Sequence, residues 1–285
     1  MSQVTPRSTT HGSVLEFQGD MSVARHNRLA VTDLADGIRL WRLAWSLAWF
    51  DIRLRYRGSI LGPFWLTLST AVMIAALGVL YATLFHIDVH NYLPFLALSQ
   101  ILWAFISTLV SEACTAFTQA ESMIRAMRMP LFMHAIRTML RNVFVLAHNI
   151  VVVVVVDIVF RVWPGWHSLD ALPGLAVWTI DGLAICLLLG AFCARFRDVA
   201  PIVTSVMQIA FFLTPVIWKP EQLGPHAWLL PFNPFFALME IVRAPLLGEL
   251  PSNRTWIAAL FYSFLLLAVT WLIFVRARRR VAFWV

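Results

Sequence analysis

Three acidic side chains, Glu112, Asp157 and Asp181, fall in or beside long apolar runs. A carboxylate inside a bilayer is costly, so each is a functional candidate, and together they could relay protons. Asp157 lies near the end of its run, where an interface would make its charge cheap. His86, Asp88 and His90 offer three metal-ligand types in one loop. With no fourth ligand nearby, a solvated turn is the simpler reading, and no metal site is assigned. Neither G-x-S-x-G nor H-x-x-x-x-D occurs, so no hydrolase or acyltransferase centre is indicated. The phosphate-cradling loop G-x-x-x-x-G-K-[ST] is missing too: the single lysine, Lys219, stands between Trp218 and Pro220. This chain cannot hydrolyse ATP by that route, and if nucleotide drives it, a separate subunit brings the site. Cys114, Cys186 and Cys193 lie inside apolar runs without a C-x-x-C pair, and read as small buried residues rather than a disulfide framework.

The elements that must position these groups are set by composition. Of 285 residues, 60% are hydrophobic and 13% are charged. A soluble domain would carry about 25% charged residues. The fold class is therefore an all-α polytopic membrane protein. Six spans are expected, near residues 63–85, 93–117, 140–160, 172–194, 199–218 and 256–275. The net charge of +7 does not form a nucleic-acid patch, because the arginines cluster between the apolar runs. Eighteen of the 22 basic residues fall on one side of this arrangement, which is then cytoplasmic, with both termini inside.

Residues 1–30 are polar and expected to be a disordered cytoplasmic tail. Residues 31–57 are expected to form an interfacial amphipathic helix, capped by Thr32 with Asp33 and Asp36 in its first turn. Leu34, Ile38, Trp41, Trp45, Trp49 and Ile52 recur every three or four residues, and Arg39, Arg42 and Arg53 stand elsewhere around the helix. That pattern suits indole rings at headgroup depth. Residues 58–280 hold the six-helix domain, and 281–285 form a C-terminal tail.

Two stretches stand out. Arg53-Leu54-Arg55-Tyr56-Arg57-Gly58-Ser59-Ile60-Leu61-Gly62-Pro63-Phe64-Trp65 is a basic cluster where the chain enters the first span. Further on, Ala194-Arg195-Phe196-Arg197-Asp198 precedes an apolar run ending Thr214-Pro215-Val216-Ile217-Trp218, then Asn233-Pro234 and Glu240-Ile241-Val242-Arg243. Pro and Gly break residues 219–248 into pieces too short to cross about 30 Å of hydrocarbon. They are read as a re-entrant outer-face segment between spans 5 and 6.

This order, a basic run with S-x-L-G-x-x-W, then R-D, [ST]-P-V-I-W, N-P and E-x-x-R, resembles the permeases of ABC-2 type polysaccharide exporters over residues 33–280. The resemblance implies a membrane subunit that is not itself an enzyme, for export of lipid-linked polysaccharide across a bacterial inner membrane. O-antigen, capsule and teichoic-acid exporters share the plan. It implies a homodimer, a separate ATP-binding cassette subunit that holds ATP and Mg, and contact with membrane lipid. Periplasmic export proteins stay open as partners. It assigns coupling to the ATPase to the 119–130 segment, with Glu121, Arg125, Arg128 and Met129, and to Arg195, Arg197 and Asp198. It implies that spans 1, 2 and 5 line the route, where Tyr81, Phe85, Trp103, Phe105, Phe211 and Phe212 could stack on the apolar faces of sugar rings. Pro215, Trp218, Asn233, Pro234, Glu240 and Arg243 would form an outer gate. Two alternatives stay open: export of a small molecule or drug by the same family, and a proton-coupled carrier built on the three acids.

Overall fold

The computed structural model describes residues 23–55, 57, 64–127, 129–163 and 165–285. Among them there is no strand. The helices are α1 (Val23–Arg39), α2 (Trp41–Arg55), α3 (Phe64–Phe85), α4 (Val89–Ala113), α5 (Glu121–Ala126), α6 (Leu131–Phe160), α7 (Ala171–Arg195), α8 (Val199–Leu213), α9 (Pro234–Leu246) and α10 (Asn253–Trp284). Five elements are long and apolar enough to cross a membrane: α3, α4, α6, α7 with the turn before it, and α10. Their outward side chains, such as Val72, Leu80, Val155, Ile158 and Phe264, are exposed. Water would penalise that belt, whereas lipid does not. The protein is an all-α polytopic membrane protein.

The expected fifth span differs. α8 has 15 residues, about 22 Å of helix, short of the ~30 Å hydrocarbon core. Pro215 is the reason. It has no amide to continue the ladder, and it pushes the preceding residue out of the helical region. Thr214 accordingly takes φ −95°, ψ 137°, and Thr214–Trp218 runs on without helix.

α4 is the centre of the bundle. It packs on α3, α6, α7, α8 and α9, and most of its middle is buried. α7 lies between α10 and α6, with α9 crossing its first turns. Gly174 permits that crossing: a Cβ there would sit 2.7 Å from the Ile241 carbonyl oxygen. Small residues let membrane helices approach this closely.

The N-terminal region is two helices rather than one, with a break at Leu40. α1 begins at Val23, within the stretch expected to be a tail, and residues 1–22 lie outside the described residues. Thr32 is no cap. It stands inside α1, its hydroxyl donating to the Leu29 carbonyl at 2.9 Å. Ala44, Ala48 and Ile52 of α2 are buried, where α2 packs on α6. The Trp41, Trp45 and Trp49 row stays exposed, with Trp45 and Trp49 edge-on to Phe144. The C-terminus is not a tail either: α10 continues to Trp284, and Val281 and Val285 are buried.

Asp33 has a role its neighbours in sequence do not reveal. It is buried, and its carboxylate accepts from the amides of Leu131 (3.3 Å) and Phe132 (3.0 Å), the first residues of α6. Pro130 precedes them and offers no side-chain cap, so α1 supplies one from outside. Arg278 of α10 completes the site at 2.8 Å. Asp33→Ala is expected to destabilise the protein by on the order of 1–2 kcal/mol, the range for a lost cap. Asp36 pairs with Arg39 only on the surface, at 3.4 Å. Asp36→Ala should therefore leave the melting temperature unmoved. Equal melting of the two variants would refute the capping role.

Candidate functional site

A groove of about 590 Å³ opens between α4 and α8. From α4 it takes Trp103, Ser107, Thr108 and Ser111; from α8, Thr204, Met207, Gln208, Phe211 and Phe212. On both helices the lining recurs every three to four residues, which is one helical face. Trp103 lies 5.9 Å from Phe211 and 5.6 Å from Phe235, ring centre to ring centre, and Phe211 lies 5.2 Å from Phe212. The groove thus offers flat apolar rings beside hydroxyl and amide groups. A sugar chain presents the matching surface: apolar C–H faces and hydroxyls at the edges.

Three of the six expected path aromatics meet here: Trp103, Phe211 and Phe212. Phe105 does not join them. Two residues past Trp103, it points across the helix to α7 and stacks on Trp178, 5.5 Å apart and nearly parallel. Tyr81 and Phe85 stack on each other at 5.5 Å near the end of α3 and line no part of this groove. Sequence reasoning had missed the polar wall. Ser107, Thr108 and Ser111 do fall at helical spacing in an apolar run, and that was the readable signal.

The residues expected at the outer gate gather around the extended segment after α8. Its carbonyls have no helical partners, and in an apolar setting each must be given a donor. Arg243, with 1% of its side chain exposed, donates Nη1 to the Pro215 carbonyl and to Ser99 Oγ, the latter at 3.0 Å. Its Nε donates to Glu240 at 2.9 Å, and its guanidinium lies 4.7 Å over the Phe95 ring. The Tyr92 hydroxyl donates to the Ile217 carbonyl. Asn233 acts twice: its Nδ2 donates to Thr214 Oγ1 at 3.0 Å, and its Oδ1 caps α9 by accepting from Phe235 and Phe236 amides. Pro234 then occupies the first turn of α9, where no amide is needed. Trp218 donates to the Phe212 carbonyl at 3.1 Å, and Lys219 to that of Asn91 at 3.1 Å.

At the other end of the bundle, Glu112 accepts from Arg55 (2.7 Å), Arg141 (2.9 Å) and Asn142 (2.8 Å). Asp51 accepts from Arg137 at 2.6 and 2.8 Å, and from Arg141 at 3.4 Å. This chain of charges ties α2 to α4 and α6. Asp181 lies elsewhere, buried on α7, accepting from Ser263 of α10 at 2.7 Å. Asp157 stands in the last turn of α6. Among the described residues the three acids share no side-chain partner. Asp88 caps α4 through the His90 amide at 3.2 Å, and no group of three metal-ligating side chains occurs among the described residues.

The expected coupling residues lie at the same end as Glu112. Residues 118–120 form one 3-10 turn and lead into α5, where Glu121 pairs with Arg125 at 3.0 Å. Arg125 also donates Nε to the Val285 carbonyl at 3.1 Å. Arg128 lies outside the described residues, and Met129 is half-buried. Arg195 ends α7, Arg197 and Asp198 form the turn before α8, all three are exposed, and the Arg195 guanidinium lies 5.9 Å over the Trp284 ring. α5 and this turn therefore flank the last turn of α10. Of the basic run that carried the first resemblance, Tyr56 and residues 58–63 lie outside the described residues.

Two curated proteins resemble the chain over most of its length. Both are O-antigen export system permease proteins RfbA. That of Myxococcus xanthus is 24% identical over 202 residues, 70% of this chain and 78% of its own. That of Klebsiella pneumoniae is 20% identical over 221 residues, 77% and 85% of the two chains. Residues 42–247, from the start of α2 to the end of α9, match the ABC-2 type transporter family. With the groove, the clamped segment after α8 and the bundle around α4 all inside that match, the chain belongs to the ABC-2 type transporter family.

Proposed function

We propose that this chain is the membrane-spanning subunit of an ATP-driven exporter that carries lipid-linked polysaccharide across a bacterial inner membrane. The groove between α4 and α8 carries the reading, because its rings and hydroxyls match a sugar chain better than a small apolar molecule. The names of the relatives agree with it. A proton-coupled carrier is not favoured, since its three acids do not connect. Hydrolysis of Mg-bound ATP falls to a separate ATP-binding cassette subunit docked on α5 and the Arg195–Asp198 turn. The basic end of the bundle is cytoplasmic and holds both termini. α8 with Thr214–Trp218 makes the sixth crossing, and residues 219–248 form the gate on the far face.

A homodimer completes the route. In one copy the groove is a half-channel: α8 leaves Ile202, Val206, Ile209 and Phe212 exposed beside it. A second copy facing this surface would close the channel.

Gentle purification from the native membrane should bring a soluble ATPase in fixed ratio. In that complex Phe212→Ala is the informative variant, because the side chain is 70% exposed and its loss leaves the fold alone. Export of surface polysaccharide should fall about tenfold, as a loss of ~1.4 kcal/mol would give, while ATPase binding stays constant. A lone, ATP-inert protein with normal export in the variant would sink the proposal.

A further inference from the structure

Four cations stand toward the end opposite the basic one: Arg161, Lys219, Arg243 and Arg254. Two have settled partners. Lys219 donates to the Asn91 carbonyl and lies over the Phe95 ring, and Arg243 is buried on Glu240. Arg254 differs. It is exposed in the first turn of α10, a turn without an acidic residue, and among the described residues no carboxylate pairs with it. A helix start is the wrong place for a cation, because the dipole there is also positive. An anion brought to this spot is attracted by both.

Beneath Arg254, Ile257, Ala258 and Phe261 continue the same face of α10 for about two turns, some 10 Å. Trp228 and Phe232 face them from the 3-10 segment Pro220–Phe232. The two walls bound an open groove of about 490 Å³. The Tyr262 hydroxyl staples them together by donating to the Phe232 carbonyl at 2.8 Å. One guanidinium stands at the mouth, and the walls below are apolar and aromatic. A sugar would find few hydrogen-bonding partners there. A phosphate carrying an acyl chain would find a cation above and apolar walls below, and the exposed apolar belt of α10 puts the groove against lipid.

We propose that this groove binds one anionic phospholipid of the adjacent leaflet, its phosphate on Arg254 and an acyl chain between Phe261 and the Trp228–Phe232 wall. The lipid then braces the Pro220–Phe232 segment against α10, in a groove that shares no lining residue with the one between α4 and α8.

The test uses the full chain in phosphatidylcholine vesicles. A small fraction of phosphatidylglycerol carries a photoreactive diazirine on its acyl chain. A parallel sample carries the same group on phosphatidylcholine. After illumination, labelled peptides are mapped. Labelling of residues 228–232 and 257–262 should be several-fold stronger from phosphatidylglycerol. Arg254→Gln should bring it down to the phosphatidylcholine level. Ala258→Trp, which fills the groove but keeps the cation, should remove both. Equal labelling by the two lipids in the unaltered chain overturns the proposal, as does an unchanged ratio in Arg254→Gln. Displacement of the label by a trace of polyprenyl phosphate, but not by excess phosphatidylglycerol, would also overturn it and give the groove to a lipid carrier.

Discussion

Replacing Arg243 with methionine is expected to cost on the order of 3–5 kcal/mol, the range for stripping one partner from a buried ion pair. The variant would leave the Glu240 carboxylate, the Pro215 carbonyl and Ser99 Oγ without their donor. Glu240 keeps some access to solvent, but the Pro215 carbonyl and Ser99 are buried and have no water to turn to. Lysine should rescue little. Its ammonium is a point charge, and the site needs a planar fork reaching a carboxylate on one side and a carbonyl on the other. Adding Glu240→Gln to Arg243→Met should recover part of the loss, because the stranded charge disappears. Melting of the purified variants decides the matter. If Arg243→Met melts with the unaltered protein, the ion pair is not what holds the segment after α8.

The second large effect is at the opposite end. Glu112→Ala removes the carboxylate between Arg55 and Arg141, two cations that then repel each other, with only Asp51, 3.4 Å from Arg141, left to offset them. The expected loss is again about 3–5 kcal/mol, felt first as undocking of α2 from α4. Glu112→Gln makes the sharper test. An amide accepts weakly from guanidinium and carries no charge, so melting should fall with export. In a proton relay the same variant would abolish transport and leave melting untouched. Asp51→Ala should weaken the same junction, and the two losses should not add, since Arg141 belongs to both sites.

The fold class was legible because it rests on long averages, apolar runs against a small charged fraction. Local signals fared less well where a distant residue decided the outcome. Asp33 looked like a first-turn acid of its own helix, but it serves the start of α6, 98 residues on. No spacing rule reaches across that gap. Glu112 looked like a costly lone acid because its cations come from α2 and α6. Pro215 was visible, and so was its power to end a helix. The donors that satisfy the freed carbonyls, Tyr92 for Ile217, Asn233 for Leu213 and Arg243 for Pro215, come from two distant elements, α4 and α9. At the groove the rings were readable one by one. Which of them share a face depends on rotation about the helix axis: Trp103 and Phe105 are two positions apart, and they point to different neighbours.

The bond between Asp33 and Arg278 joins residues 245 apart in the chain. A ribosome adding ~5–20 residues per second needs about 10–50 s to travel that distance. Throughout that time Asp33 is already made, and once α6 follows, the carboxylate can cap its first amides but has no Arg278 beside it. The nascent bundle is therefore open at one end until the last helix emerges. A polypeptide cut short before Arg278 never closes it, which leaves the Asp33 carboxylate without its cation and α10 undocked there, a mark by which proteolytic surveillance could tell an unfinished copy from a finished one.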